Sequence, residues 1–130
     1  MFDDVADFHK VVLGVPPVKT PTLVSDEFTV ERFRFLNEEV GEYLEAAHKG
    51  NIIGAVDGLL DTIYVALGTL YFMNVPVQEC WDAVHKANMA KVRGITKRGN
   101  ACDAVKPPGW IGPEGEIALA IGKQIERGET

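Results

Sequence analysis

Only two cysteines occur in the chain, Cys80 and Cys102, and they match no metal-ligand spacing and no disulfide framework. A zinc module and a disulfide-stapled scaffold are therefore not expected, and a reducing cytoplasm is the default setting. Basic charge is also scarce. Thirteen Lys and Arg stand against nineteen Asp and Glu, for a net charge of −6. That balance argues against a nucleic-acid backbone or an anionic membrane as the main partner, since both call for a basic surface. The opening Met1-Phe2-Asp3-Asp4 has neither the basic start nor the apolar run of a signal peptide. Period-two alternation is missing, as are repeats and low-complexity tracts, so no strand is expected. The most apolar stretch, Ile52 to Phe72, is broken by Asp57 and Asp61. With no second span and no basic flank, it reads as a buried helix of a soluble domain and not as a membrane span.

What is present is an ordinary globular mix. Hydrophobic residues make up 46% and charged residues 25% of 130, which suits one domain over residues 1–130 with its own core. Helical spacing of Val5, Phe8, Val11 and Val12 predicts a short helix from Asp3 to Leu13, stopped by Gly14. Three prolines make Val15 to Val24 a loop. Ser25 is placed to cap a helix running to Lys49, with Gly50 just past its end. Its apolar stripe is Phe33, Leu36, Val40, Tyr43, Leu44 and Ala47. Asn51 caps the next helix, Ile52 to Met73, and Pro76 suits the first turn of a fourth, ending near Val92. Short connections predict antiparallel neighbours. From Gly94 to Gly115, five glycines and three prolines predict a loop without regular structure, followed by a last helix from about Glu116 to Arg127. The fold class is all-α: a bundle of about four main helices, a loop and a short helix.

Two acidic clusters carry the chemistry. Glu38, Glu39, Glu42 and Glu45 share one side of the second helix at about 100° per residue, away from Leu36, Val40, Tyr43 and Ala47. Taken alone this is an amphipathic helix with a solvated acidic face. Yet Lys49 is the one basic residue four positions after any of these glutamates, and like charges at that spacing repel. The second cluster, Asp57 and Asp61, lies along a narrow polar strip with Tyr64 on a helix that is apolar nearly all round. A buried carboxylate must be paired or must coordinate a metal. An N-cap role for Asp57 and a buried ion pair for Asp61 are the plain alternatives. The pair of helices offers few basic partners, however, and a hard divalent cation with oxygen ligands, magnesium above all, is the economical solution. About four to six acids exceed what one magnesium takes, so two or more ions are expected with substrate bound. Such a site binds polyphosphate oxygens, and a spare carboxylate beside it can take a proton from water.

The runs Glu38-Glu39-Val40-Gly41-Glu42, Asp57-Gly58-Leu59-Leu60-Asp61-Thr62-Ile63-Tyr64-Val65, Val84-His85-Lys86-Ala87-Asn88-Met89-Ala90-Lys91 and Lys106-Pro107-Pro108-Gly109-Trp110 resemble the MazG-like all-α nucleoside triphosphate pyrophosphatases. That superfamily also holds dimeric dUTPases and phosphoribosyl-ATP pyrophosphohydrolases. The resemblance spans roughly Phe28 to Trp110. It implies hydrolysis of a nucleoside triphosphate to monophosphate and pyrophosphate, with magnesium as cofactor and manganese as a substitute, in a homodimer or dimer of dimers. Its Glu-x-x-Glu pair corresponds to Glu39 and Glu42, and its final metal-binding aspartate to Asp61. Gly58 stands where the simple motif has a glutamate, and Asp57 is the substitute. Glu38 resembles the acid that orients the attacking water. Asn88 and Lys91 match an Asn-x-x-Lys that reaches the nucleotide from the fourth helix. Lys106 and Trp110, with Lys97 and Arg98 as further phosphate contacts, are expected to close over bound substrate. The rival readings are hydrolysis of phosphoribosyl-ATP or another nucleotide pyrophosphate, and a non-catalytic helical module that binds a nucleotide or a partner.

Overall fold

The computed structural model describes residues 1–95, 99 and 103–128. The element order is α1 (Phe2–Asp7), a π-helical turn (Phe8–Val12), α2 (Asp26–His48), α3 (Ile52–Met73), α4 (Val77–Met89), β1 (Val92–Gly94), β2 (Asp103–Val105) and α5 (Glu114–Arg127). The all-α class therefore stands, with one correction. β1 and β2 pair antiparallel, Val92 opposite Val105 and Gly94 opposite Asp103, so the segment expected to be wholly irregular holds a short ribbon. Three-residue strands are too brief to show alternation in sequence.

The chain divides into two compact units, Met1–Val75 and Pro76–Glu129. In the first, the caps fall where the sequence puts them. Ser25 Oγ accepts from the Phe28 N–H at 3.2 Å, a contact worth about 1 kcal/mol. Asn51 Oδ1 accepts from the Gly54 N–H at 3.0 Å, and Asn74 ends α3 in the left-handed region at φ 52°. Gly50, at φ 70°, turns the chain so that α3 runs back antiparallel along α2. The register can be read from the contacts. Arg32 reaches Val65 and Thr69, Tyr43 touches Gly58, and Ala46 touches Gly54.

This seam corrects the expected stripe of α2. The residues at the contact are Phe28, Arg32, Leu36, Glu39, Tyr43 and Ala46, all half-buried. Phe33, Val40 and Leu44 stay exposed. One facing helix covers only a narrow stripe of another, so the rest of a broad apolar face stays open. The same holds for α3. It is long and apolar enough to span a membrane by length and composition, and it was expected to be buried. Within the chain only its inner residues Gly58, Val65, Gly68 and Tyr71 are buried, while Ile53, Val56, Leu60 and Ile63 are exposed.

The N-terminal segment covers the far end of the hairpin. His9 is buried, and its Nδ1–H donates to the Val5 carbonyl at 2.7 Å. Its ring packs 5.0 Å from Tyr71 and 5.3 Å from Phe72. Gly68 makes room for it: a Cβ there would lie 2.8 Å from His9 Cε1 and 3.0 Å from Arg32 Nη2. The following loop is strapped along the C-terminal end of α3, where the Tyr71 hydroxyl donates to Val15 O at 2.6 Å and Asn74 Nδ2 to Val18 O at 2.7 Å. In the second unit α4 packs on α5, with Ala83, Ala87, Ala120 and Gln124 buried.

Candidate metal centre

Glu39, Glu42 and Asp61 each offer a carboxylate oxygen, and these three oxygens lie within 4.8 Å of one another. Two helices make this possible. Glu39 lies in the α2 seam between Leu36 and Tyr43, one turn of helix brings Glu42 alongside, and the antiparallel register delivers Asp61 from α3. Gly58, one turn before Asp61, lets the backbones approach closely enough for these short side chains to meet.

The electrostatics are unbalanced. Glu39 Oε2 is buried and has no hydrogen-bond partner. Burial pushes the Glu39 carboxyl above the usual carboxylate range, and the close approach of Glu42 and the charges of Asp61 and Glu38 push it further. Three converging acids, one of them with an orphaned oxygen, form a donor set that fits a hard divalent ion. Glu45 is different. Its carboxylate is held by Lys49 at 2.8 Å, and that contact lowers its pKa, which leaves it no part in the trio.

The other expected residues fall as follows. Glu38 is exposed on α2, close enough to raise the Glu39 pKa. Asp57 is exposed on α3 and stands outside the trio formed among the described residues. The seam position next to it belongs to Gly58, where a Cβ would lie 2.8 Å from Tyr43 N and 2.9 Å from Tyr43 Cα. A glutamate does not fit there.

In the second unit Asn88 is exposed in the last turn of α4. Lys91 was expected on that helix, but α4 stops at Met89, and the Lys91 N–H donates to Asn88 O at 3.1 Å in the turn that follows. Lys91 and Lys106 nonetheless both reach Trp110. Their ammonium groups lie 5.3 Å and 5.0 Å from the centre of the Trp110 ring, within cation–π range. Trp110 is itself pinned, its Nε1–H donating to Ala87 O at 2.7 Å. It walls a groove of about 550 Å³ whose lining includes Ala83, Ala87, Pro107 and Leu119. The Lys86–Glu116 ion pair, at 2.6 Å, borders it. Lys97 and Arg98 lie outside the described residues. Sequence reading passed over Arg32. The signal was available: Arg32 precedes Glu39 by two helical turns and so shares its face.

A helical hairpin thus gathers carboxylates from both arms around one point. The family model described as phosphoribosyl-ATP pyrophosphohydrolase matches residues 5–88, well over half of the chain, and the chain belongs to that family, within the MazG-like all-α superfamily. The match runs from the last residues of α1 through nearly all of α4, takes in Glu38, Glu39, Glu42, Glu45, Asp57 and Asp61, and stops short of Lys91, Lys106 and Trp110. No curated protein matches the chain.

Proposed function

We propose that this protein hydrolyses (deoxy)nucleoside triphosphates to the monophosphate and pyrophosphate, with magnesium held by Glu39, Glu42 and Asp61. The observation that carries the reading is the convergence of these three carboxylates, with Glu39 Oε2 buried and unpartnered. When bound, the cation supplies charge neutralisation for the polyphosphate and makes water more acidic. Glu39, Glu42 and Asp61 bind and orient it. Glu38, exposed beside them, is the acid free to accept the proton as water oxygen bonds to phosphorus and the α–β anhydride breaks, with pyrophosphate leaving. Asp57, one turn from Asp61, is the reserve ligand for a second ion brought in with substrate.

Asn88, Lys91, Lys106 and Trp110 are assigned to substrate holding. Two ammonium groups beside one indole offer charge to phosphate oxygens, and the apolar groove walled by Trp110 suits a flat base. Lys97 and Arg98 are assigned to phosphate contact from sequence alone. The working form is a homodimer or dimer of dimers in the cytoplasm, acting as one catalytic domain over residues 1–130.

A second reading is favoured by the family description itself, which names phosphoribosyl-ATP pyrophosphohydrolase. Products separate the two. A panel of ribo- and deoxynucleoside triphosphates, with phosphoribosyl-ATP beside them, is incubated with magnesium and resolved by ion-exchange chromatography. Monophosphate and pyrophosphate from simple triphosphates support the first reading. Turnover of phosphoribosyl-ATP alone supports the second.

A further inference from the structure

Arg32 sits where an aliphatic side chain would be expected, in the seam between two apolar helices. Its Nε–H donates to Thr69 Oγ1 at 3.0 Å and its Nη2–H to the Val65 carbonyl at 2.8 Å. Thr69 Oγ1 in turn donates to the same Val65 carbonyl at 2.8 Å. The guanidinium lies 5.8, 5.4 and 5.5 Å from the ring centres of Phe28, Phe35 and Phe72. Among the described residues no carboxylate pairs with it, although the acidic trio lies on the same seam. The cation is therefore not spent on an ion pair. It is used as a fork that ties the α2 side chain to the α3 backbone.

The place of that fork matters. Arg32 and Glu39 are two turns apart on one face of α2, and Val65 follows Asp61 by one turn of α3. At the other side of the trio the backbones of Tyr43 and Gly58 touch. The acidic centre is thus held between two contacts of different kinds. The Tyr43–Gly58 contact sets how closely the helices approach, but a smooth backbone contact allows sliding. Arg32 is different, because a planar fork reaching two acceptors has only one axial position that satisfies both. Gly68 adds to this by leaving room for Nη2, since a Cβ there would lie 3.0 Å away.

We infer that Arg32 is a positioning residue: its two-point contact with Val65 and Thr69 fixes the axial register of α2 on α3, and through it the geometry in which Glu39, Glu42 and Asp61 present their oxygens to a cation. The inference rests on the reading of that trio as a metal centre. Carboxylates carried by separate helices form a divalent-ion site only while their spacing holds, and a slide of one ångström along the seam is enough to open it. Lysine keeps the charge but replaces the planar fork with a single ammonium on a flexible stem, which does not hold one axial position.

The test uses manganese alone as the probe, with affinity read from the free-ion signal in electron paramagnetic resonance and stability from thermal melting. Arg32→Lys, Arg32→Met and Thr69→Val are compared with the unaltered protein and with Asp61→Asn. The expected result is a roughly tenfold loss of manganese affinity in Arg32→Lys and Arg32→Met, comparable to the loss of an outer-shell partner in other metal sites. A smaller loss is expected in Thr69→Val, with the helical spectrum kept in all. Wild-type affinity in Arg32→Lys and Arg32→Met, with only the melting temperature lowered, makes Arg32 a plain packing tie and overturns the inference. If Asp61→Asn binds manganese as tightly as the unaltered protein, the metal centre itself is misread, and the inference goes with it. The Asp61 control therefore tells the two failures apart.

Discussion

The backbones of Gly58 and Tyr43 meet without space for a methyl group: a Cβ on Gly58 would lie 2.8 Å from the Tyr43 nitrogen. This explains why residue 58 is a glycine and not the glutamate that the resemblance leads one to expect there. Gly58→Ala should separate the helices and cost about 1–3 kcal/mol, the usual range for overpacking, and should weaken magnesium binding by moving Asp61 from Glu39. Gly58→Glu, which restores the motif on paper, should bind magnesium less tightly and melt earlier. Calorimetric melting and magnesium titration check both variants, and a gain of affinity in Gly58→Glu would show that the seam has more room than the geometry allows.

Asp61 is the acid that α3 contributes to the trio, and an amide is a poor ligand for a hard cation. Asp61→Asn should abolish pyrophosphate release while keeping the far-ultraviolet helical spectrum. Glu39→Gln and Glu42→Gln should do the same. Full activity in Asp61→Asn would remove that residue from the centre.

The raised pKa of Glu39 turns into a dependence of stability on pH. A carboxyl whose folded-state pKa lies above its ordinary value of 4.5 binds its proton more tightly in the folded chain than in the unfolded one. Its contribution is fully present below 4.5 and is lost as pH rises through the folded value. With chelator present, the melting temperature should therefore carry a falling component across that window. Glu39→Gln should remove that component, and magnesium at neutral pH should restore the stability lost. A wild-type pH profile unchanged by Glu39→Gln would refute the linkage.

Much of the first unit is legible in the sequence, because its signals are local. Ser25, Gly50, Asn51 and Asn74 mark the helix ends by side-chain and backbone chemistry that needs no tertiary information. Asp61 stands out because it interrupts an apolar run, and Glu39 and Glu42 because like charges gather on one side of α2. The seam is not legible. Whether α2 packs through Val40 and Leu44 or through Leu36 and Glu39 depends on which helix it meets, and a broad apolar face permits either. Arg32 was missed for the same reason, since an arginine on an amphipathic helix is ordinarily solvated. β1 and β2 escaped because three residues are too few for a period. Lys91 was placed on α4 because nothing in Ala90-Lys91-Val92 forbids one more turn.

Trp110 has a structural tie through its indole N–H to Ala87 O as well as a place beside two lysines. If it also holds substrate, Trp110→Ala should raise KM several-fold, with a smaller fall in kcat, consistent with loss of binding shared by ground and transition states. The melting temperature should fall too, because the ring is half-buried. Steady-state kinetics with magnesium saturating separate the two effects. Wild-type KM and kcat in a variant that merely melts earlier would leave Trp110 as a packing residue and end its role at the substrate.

The last expectation concerns what covers α3. Val56, Leu60 and Ile63 are 49%, 57% and 42% exposed in the single chain, and Phe33, Val40 and Leu44 on α2 are open as well. Apolar side chains exposed in such number on a helix pair are costly to leave in water and mark an association surface. A second copy is the economical occupant, because in a two-fold interface every apolar residue is used twice. Sedimentation equilibrium should therefore give at least twice the chain mass of 14.2 kDa. Leu60→Glu places a charge in that face on both sides of the axis. It should shift the mass toward the single chain and lower the melting temperature, while Lys123→Glu on α5, an exposed control, should leave both unchanged. A fully active species at 14.2 kDa at working concentration would show that the face stays open.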